Sequence, residues 1–293
     1  MSIFNGSAPA MITPFNENGV DFAALKNVIE HLVKGDSSAI VVLGTTGEAS
    51  TLTNEEKKAV AEFTIKTVNK RIPVIVGAGS NNTVEVCSFC KTYEDMGADG
   101  LMVVTPYYNK TTQNGIVSFF ETVAASTKLP IVAYNVPGRT ALNMTAKTAF
   151  KVSQIKNIVA LKEASGNIEQ ILEICKNTKN NWDFLSGDDN VTLTKILHGG
   201  KGVISVVANV VPDRVAKLCK LALNGKFNEA LKTHEEIFDL TNAMFCETNP
   251  IPVKYAMRLL GLCGDLVRSP LTQIENTGAE LVKSEMRKLK LMK

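Results

Sequence analysis

Eight short apolar segments recur between about Ser7 and Asn224, and each is followed by a stretch with helical periodicity. These segments are "SAPAMIT", "SAIVVLG", "PVIVGAG", "GLMVVTP", "PIVAYNV", "IVALKEA", "FLSGD" and "GVISVVA". Nearly continuous runs of Val, Ile and Ala are typical of strands that are buried on both faces of a parallel sheet. The alternation of such strands with helices predicts an α/β protein.

Two parallel architectures fit this alternation. Eight strand–helix units favour a (β/α)8 TIM barrel, which typically takes ~250 residues. An open doubly wound sheet usually carries a glycine-rich phosphate turn after its first strand, whereas the first strand here leads into "TPFNENG". We therefore predict a barrel over residues 1–224. Strand-like segments stop there, and "KFNEALKTHEEIFDLTNAMF", "PIPVKYAMRLLGLC" and "TGAELVKSEMRKLKL" predict a small C-terminal helical appendage over residues 225–293.

Composition excludes several classes of function. The 293 residues carry a formal net charge of +3, and no basic cluster has the interleaved aromatic residues of a nucleic-acid site. No apolar run approaches the ~18 residues of a membrane span, and "MSIFNGSAPAMITPF" is unlike a signal peptide. Cys87 and Cys90 are spaced as CxxC, but they lie in a helical pattern with no second pair, so we expect no metal site. A cytosolic protein with no nucleic-acid or membrane partner is expected.

The chemistry-bearing motifs follow the predicted strands. "GTTGE", "TPYYNK", "YNVPGRT", "LKEASG", "SGDD" and "ISVVAN" come directly after the second, fourth, fifth, sixth, seventh and eighth strands. In a parallel barrel, functional residues gather at the carboxyl ends of the strands. These motifs should therefore meet at one rim, where we predict the active site.

Lys162 stands at the end of the apolar segment "IVALK". An ammonium held against apolar walls loses hydration, which lowers its pKa. The neutral amine can attack a ketone and form a Schiff base. A structural ion pair with Glu163 or another carboxylate is the alternative, but consecutive residues of a strand point to opposite faces, which argues against Glu163. Lys162 is therefore the candidate nucleophile.

Hydroxyl groups and one guanidinium accompany this lysine at the rim. Tyr108 and Tyr134 are candidate proton shuttles, with Thr45 or Thr46 as a bridge. Each tyrosine alone would more often be a core residue. Arg139 offers a fork for a carboxylate, although a surface arginine in a Pro-Gly turn is the plainer interpretation. The shared rim favours the functional interpretation of the set.

The motifs together resemble those of the dihydrodipicolinate synthase family. "GTTGE", "TPYYNK", "YNVPGRT", "LKEASGN", "LSGDD", "GVISVVANV" and "NPIPVKYA" match in order over essentially the whole chain. The wider group of pyruvate-lysine aldolases includes N-acetylneuraminate lyase and keto-sugar-acid aldolases. These relatives typically have a serine in the first loop and lack the arginine, whereas Thr45, Thr46 and Arg139 stand here.

The resemblance implies a lyase without a cofactor. It would condense pyruvate with L-aspartate 4-semialdehyde in the first committed step of diaminopimelate and L-lysine biosynthesis. It also implies a role for each matched position. Lys162 forms the imine, Tyr134 shuttles protons, and Thr45 links Tyr134 to Tyr108 of the neighbouring subunit. Thr46 holds the pyruvate carboxylate, and Arg139 holds the semialdehyde carboxylate. The backbone carbonyls of Gly187 and Ile204 orient the reacting groups.

The resemblance also implies a homotetramer built as a dimer of dimers, and an effector site for L-lysine at the dimer interface. Its positions correspond to Ala49, Ser50, Asn54, Lys57, Asn81, Glu85 and Tyr107, and all of them except Asn54 and Lys57 match the family pattern. Sensitive members carry histidines where this chain has Asn54 and Lys57. The ammonium of Lys57 would repel that of the effector, so we expect weak or absent inhibition.

Two other functions remain open on the sequence. Another pyruvate-dependent class I aldolase acting on a sugar acid would use the same lysine, but Arg139 favours a second carboxylate. A non-catalytic protein that senses a keto acid would use the same barrel. It should have lost Lys162 or a tyrosine, and both kinds of residue are present.

Overall fold

The protein, a computed structural model that describes residues 2–292, is built around one eight-stranded parallel sheet. The strands are β1 (Gly6–Pro9), β2 (Ile40–Val42), β3 (Val74–Gly77), β4 (Gly100–Val104), β5 (Ile131–Asn135), β6 (Ile158–Glu163), β7 (Asp183–Ser186) and β8 (Gly202–Ser205). From β2 onward each strand pairs with the next, and β8 pairs with β1. A parallel bridge between Ala10 and Val41 joins the β1 side to β2 and closes the sheet. The predicted (β/α)8 barrel is confirmed.

One or two helices follow each strand of the barrel. They are α1 (Phe22–Lys34), α2 (Asn54–Val68), α3 (Thr83–Asp95), α4 (Gln113–Ala125), α5 (Pro137–Thr140), α6 (Ala146–Val152), α7 (Ile168–Thr178), α8 (Thr192–Leu197) and α9 (Pro212–Leu223). Thr53 caps α2: its hydroxyl accepts the Glu56 N–H at 3.2 Å, and the Glu56 carboxylate accepts the Thr53 N–H at 2.9 Å. This reciprocal box fixes where α2 starts, just after the turn that follows β2.

Three further helices follow the barrel: α10 (Phe227–Ala243), α11 (Ile251–Leu259) and α12 (Asn276–Lys288). Helix α10 packs on α9, and α12 packs on α10 and α11. That residues 225–293 form a unit distinct from residues 1–224 stays a prediction. None of the helices within residues 2–292 is long and apolar enough to cross a membrane.

One small element was not predicted. Phe15–Asn16 and Gly19–Val20 form an antiparallel hairpin in the segment after β1. The Asn16 side chain accepts the Asn18 N–H at 2.9 Å, and Gly19 has φ = +119°. This local turn chemistry explains the hairpin, since a short polar side chain and a glycine satisfy a tight turn without any strand periodicity.

Strand alternation decides which side chains enter the barrel. Val132 and Tyr134 of β5 belong to the inner cluster, whereas Ile131 and Ala133 pack outward against the helices. Cys87 and Cys90 lie on α3, and burial raises the pKa of Cys90 to about 12. Residues 2–292 contain no group of three or more His, Cys, Asp or Glu side chains placed to hold a metal ion.

Candidate active site

Lys162 lies inside the barrel at the carboxyl end of β6, directly across from Tyr134 of β5. Its side chain is buried, and Nζ lies 4.2 Å from the centroid of the Tyr134 ring. Within residues 2–292 the amine has neither a hydrogen-bond partner nor an ion-pair partner. Burial lowers the pKa of Lys162 to about 8, although Asp188 and Asp189 act in the opposite direction. The amine is thus poised to titrate near neutral pH.

Glu163 points away from Lys162, as strand alternation predicted. Its carboxylate accepts Asn135 Nδ2 at 2.9 Å and the Ser165 N–H at 2.7 Å on the outer face of the sheet. Burial raises the pKa of Glu163. The interpretation of Lys162 as a partner of Glu163 in an ion pair is therefore wrong.

The end of β6 is tied to the end of β7 by a second lysine. The carbonyl oxygen of Glu163 accepts the Gly187 N–H at 2.8 Å and Lys195 Nζ at 2.7 Å. Lys195 Nζ also donates to Asp188 Oδ2 at 3.1 Å. A Cβ on Gly187 would meet Ala164 Cβ at 2.7 Å, so only glycine fits this junction. Sequence reasoning missed Lys195, which lies within a helix and follows no motif.

Asp189 fixes the backbone that follows β8 through its carboxylate. It is buried, and its Oδ2 accepts the N–H groups of Val206 and Val207 at 2.9 and 3.2 Å. Burial raises the pKa of Asp189. Ile204 lies just before these residues, faces into the barrel and pairs with Ala8. The motif "SGDD" was the available signal for Asp189, although its contacts with the end of the adjacent strand β8 could not be inferred from it.

Tyr134 and Thr45 lie together at the rim. Burial raises the pKa of Tyr134 well above its usual value, and the nearby Thr45 hydroxyl acts in the opposite direction. Thr45 opens the short 3-10 turn Thr45–Gly47 after β2 and is exposed. Thr46 is buried, and its Oγ1 accepts Asn249 Nδ2 at 2.9 Å. Thr45 is therefore accessible to solvent, whereas the side chain of Thr46 is buried and fixed by its hydrogen bond with Asn249.

A cavity of about 360 Å³ opens at this rim. Its wall combines residues from the predicted catalytic set with residues from the predicted effector set: Thr45, Tyr134, Arg139, Ala49, Ser50, Lys57, Glu85 and Tyr107. Arg139 is exposed at α5, with Nη2 3.4 Å from the Asn249 carbonyl oxygen. Lys162 does not line this cavity and lies against the ring of Tyr134, which does.

Some of the predicted residues lie outside the cavity. Tyr108 is 89% exposed and has φ = +69° in the loop after β4. Asn54 is exposed at the start of α2, and the Asn81 carbonyl oxygen accepts Asn109 Nδ2 at 3.1 Å. Tyr108 therefore contributes nothing to the site of its own chain in this arrangement.

Comparison with known proteins matches the whole chain. The model of the dihydrodipicolinate synthetase family matches residues 3–289. The 4-hydroxy-tetrahydrodipicolinate synthase of Clostridium novyi is 46% identical over 286 residues, which cover 98% of this chain and 97% of that protein.

Solved structures agree with this match. Dihydrodipicolinate synthase from Aquifex aeolicus is 45% identical, with a TM-score of 0.96 over 98% of this chain and 99% of that one. The enzyme from Cyanidioschyzon merolae with lysine bound is 38% identical, with a TM-score of 0.96 over the full length of both chains. Fold and sequence therefore point to the same relatives.

Proposed function

Because this chain belongs to the dihydrodipicolinate synthetase family, we propose that the Lys162 amine carries out the chemistry of that family. The protein is a lyase that condenses pyruvate with L-aspartate 4-semialdehyde to give 4-hydroxy-tetrahydrodipicolinate. This is the first committed step of diaminopimelate and L-lysine biosynthesis. The observation that carries the proposal is a buried lysine that faces a buried tyrosine at the carboxyl ends of two adjacent strands and has no hydrogen-bond or ion-pair partner among residues 2–292.

The lowered pKa of Lys162 supports its role as nucleophile. A value of about 8, against the usual 10.5, leaves a useful fraction of neutral amine near neutral pH, and that fraction grows as the pH rises through 8. The neutral amine attacks the ketone carbon of pyruvate, and loss of water gives the imine. Loss of a methyl proton from the imine then gives the enamine.

Carbon–carbon bond formation follows from the enamine. Its methylene carbon attacks the aldehyde carbon of the semialdehyde, and the aldehyde oxygen takes up a proton. The amine of the same substrate then attacks the imine carbon, closes the ring and expels Lys162. In this proposal Tyr134 relays these protons, and its raised pKa supports the role because it keeps the phenol protonated and able to donate.

The roles that the family implies for the other site residues are also proposals. Thr45 relays protons between Tyr134 and Tyr108, Thr46 supports the pyruvate carboxylate, and the carbonyls of Gly187 and Ile204 orient the reacting groups. Thr45 and Tyr134 on one cavity wall support the first role. For Thr46, the amide of Asn249 occupies one acceptor position of the hydroxyl and leaves its proton free to donate.

Replacement of Arg139 by alanine should raise the KM for the semialdehyde by roughly 10- to 100-fold, since a charge-assisted bidentate contact contributes about 1.5–3 kcal/mol. Imine formation with pyruvate should persist, because Lys162 and Tyr134 stay in place, although loss of the guanidinium charge should raise the pKa of both. Steady-state kinetics with each substrate varied in turn measure both effects. The control is Lys147→Ala, which removes an exposed cation from nearby α6. If imine formation fell by the same factor as turnover with the semialdehyde, Arg139 would instead bind pyruvate or stabilise the fold of its own loop.

A second assay, with the unmodified enzyme and different substrates, separates this function from that of a sugar-acid aldolase, which the relatives do not favour. The enzyme should form product with the semialdehyde and leave sialic acid and other keto-sugar acids uncleaved. Cleavage of a sugar acid at a comparable rate would overturn the assignment of the second substrate.

Lys57 supports the proposal of a degenerate effector site. It lines the cavity together with Ala49, Ser50, Glu85 and Tyr107, and its Nζ lies 5.1 Å from the centroid of the Phe89 ring. The side chain is half-buried on the wall where an effector ammonium would lie. Two like charges ~4 Å apart repel by about 4 kcal/mol at an effective dielectric of ~20. Because Lys57 can move aside, we propose a net loss of about 1–2 kcal/mol.

Turnover should therefore respond weakly or not at all to L-lysine, with effector affinity reduced about tenfold or more. Lys57→His should create or strengthen inhibition, since a neutral imidazole accepts a hydrogen bond. Lys58→His, on the exposed neighbouring position, is the matched control. Clear inhibition of the unmodified enzyme by submillimolar L-lysine would contradict this account.

We also propose that the subunits form dimers, and that the dimers pair as tetramers. Tyr108 and Val84 are 89% and 78% exposed, and their segments adjoin through the contact between Asn109 and Asn81. Exposed aromatic and apolar side chains are common anchors of protein interfaces. The cytosolic location stays a prediction.

A further inference from the structure

A buried ion pair lies directly behind the threonine turn. Glu48 follows the turn Thr45–Gly47, and Lys254 lies on α11, 206 residues later in the chain. Lys254 Nζ is 2.6 Å from Glu48 Oε1, and the two side chains are 0% and 2% exposed. None of the steps derived above uses either residue.

Both partners of this pair are fully engaged. Lys254 Nζ also donates to the Leu266 carbonyl oxygen at 2.6 Å and lies 4.1 Å from the centroid of the Phe15 ring. The second oxygen of Glu48 accepts the Arg268 N–H at 2.9 Å. Burial lowers the pKa of Lys254, and attraction to Glu48 opposes that shift. The pair therefore has the well-satisfied geometry that two desolvated charges need.

The backbone conformation of Glu48 explains why the threonine turn needs stabilising contacts from elsewhere in the chain. Glu48 has φ = +53° and ψ = +35°, a left-handed conformation that residues other than glycine seldom adopt. It lies between two 3-10 turns, Thr45–Gly47 and Ala49–Thr51. Such conformations persist where the surroundings over-determine them, and they cluster at functional sites.

Other contacts reach the same turn from the same C-terminal segment. Asn249 Nδ2 donates to Thr46 Oγ1, and the Asn249 carbonyl oxygen faces Arg139. Arg268 Nη1 donates to the Thr51 carbonyl oxygen at 3.0 Å. Residues 249–268 thus contact the threonine turn and the segment after it at Thr46, Glu48 and Thr51, and none of these C-terminal residues lines the cavity.

We propose that Glu48 and Lys254 form a positioning pair that holds the threonine turn so that Thr45 stays within reach of Tyr134. This inference rests on the proposed function, and it gives the C-terminal helices a part in the reaction. A buried ion pair adds little stability over a hydrophobic pair of similar volume, but it fixes geometry through directional bonds. Loss of the pair should therefore impair proton relay more than folding or imine formation.

The test replaces the pair by Glu48→Leu with Lys254→Met, which keeps the volume and leaves no unpaired buried charge. Two readouts use pyruvate alone: borohydride-trapped imine at Lys162, and exchange of the pyruvate methyl hydrogens with deuterated water. We expect trapping to persist while exchange and kcat fall about 10- to 100-fold, because small misplacements in a proton relay have effects of this size. The control is Glu62→Leu with Lys66→Met, an exposed ion pair on α2.

A second series covers the case in which the double variant does not fold. Glu48→Asp keeps the charge but shortens the side chain by one methylene, and it should slow exchange in a folded protein. Lys254→Arg keeps the charge and should retain more exchange than Lys254→Met. A merely structural role would lower the melting temperature of these variants and leave exchange in the folded protein unchanged.

The outcomes separate the two proposals. Exchange within twofold of the wild type in folded variants of both series overturns the positioning role alone. Equal loss of trapped imine and exchange also overturns it, because the pair would then act on the nucleophile or the fold. Absence of both trapped imine and exchange in the unmodified enzyme overturns the proposed function, and the positioning role with it.

Discussion

Lys162→Ala is expected to lower turnover by at least roughly a thousandfold, because removal of a covalent nucleophile leaves only binding and electrostatic effects. The fold should survive. Within residues 2–292 the ammonium makes no hydrogen bond or ion pair, and its nearest aromatic contact, Tyr134, lies at the open rim. Product formation from pyruvate and the semialdehyde, together with circular dichroism, measures both properties.

The matched control for this variant is Lys156→Ala. Lys156 is exposed and lies just before the other end of β6. It should leave turnover unchanged. Near-normal turnover of the Lys162→Ala enzyme would show that another group attacks pyruvate, or that the reaction does not pass through an imine.

Tyr108→Phe is expected to lower turnover by about 100-fold or more, the effect of losing a general acid or base. The loss should occur even though Tyr108 projects away from the cavity of its own chain. The reason is the proposed dimer, in which this hydroxyl serves the active site of the neighbouring subunit. The variant should still trap pyruvate at Lys162, since its own nucleophile is intact.

Mixed dimers test this sharing of sites. A Tyr108→Phe subunit supplies Lys162, and a Lys162→Ala subunit supplies Tyr108, so each heterodimer contains one complete site. Random exchange of equal amounts should restore about one quarter of wild-type activity. Native mass spectrometry of the same mixture, in which heterodimers have an intermediate mass, shows independently whether the subunits exchange. If subunits exchange but the first mixture gains no activity, each site is built from one chain.

The position and direction of Lys162 were predictable because they depend on local rules. An apolar run marks β6, and a period of two sends Lys162 inward and Glu163 outward, where the structure places them. Parallel strands bring their carboxyl ends to one rim, so the order of strands along the chain is enough to group motifs that are distant in sequence. Arg139 and Thr45 on one cavity wall follow from the same rule.

Contacts that depend on tertiary packing could not be predicted. Lys195 supports β6 through a backbone carbonyl, and no sequence pattern marks a carbonyl as an acceptor. Lys254 meets Glu48 across 206 residues, and each looks like an ordinary surface residue in its own segment. The sequence likewise could not predict that the Thr46 side chain contacts Asn249, because two adjacent threonines have no periodicity that would orient their side chains.

Reduction with borohydride in the presence of pyruvate, followed by peptide mass mapping, reports directly whether Lys162 forms the imine. One stable adduct is expected, located on Lys162, and its yield should increase as the pH rises through about 8 because the neutral amine attacks. Omitting pyruvate should leave the peptide unmodified. An adduct on another lysine, or none under conditions of full turnover, would contradict the account.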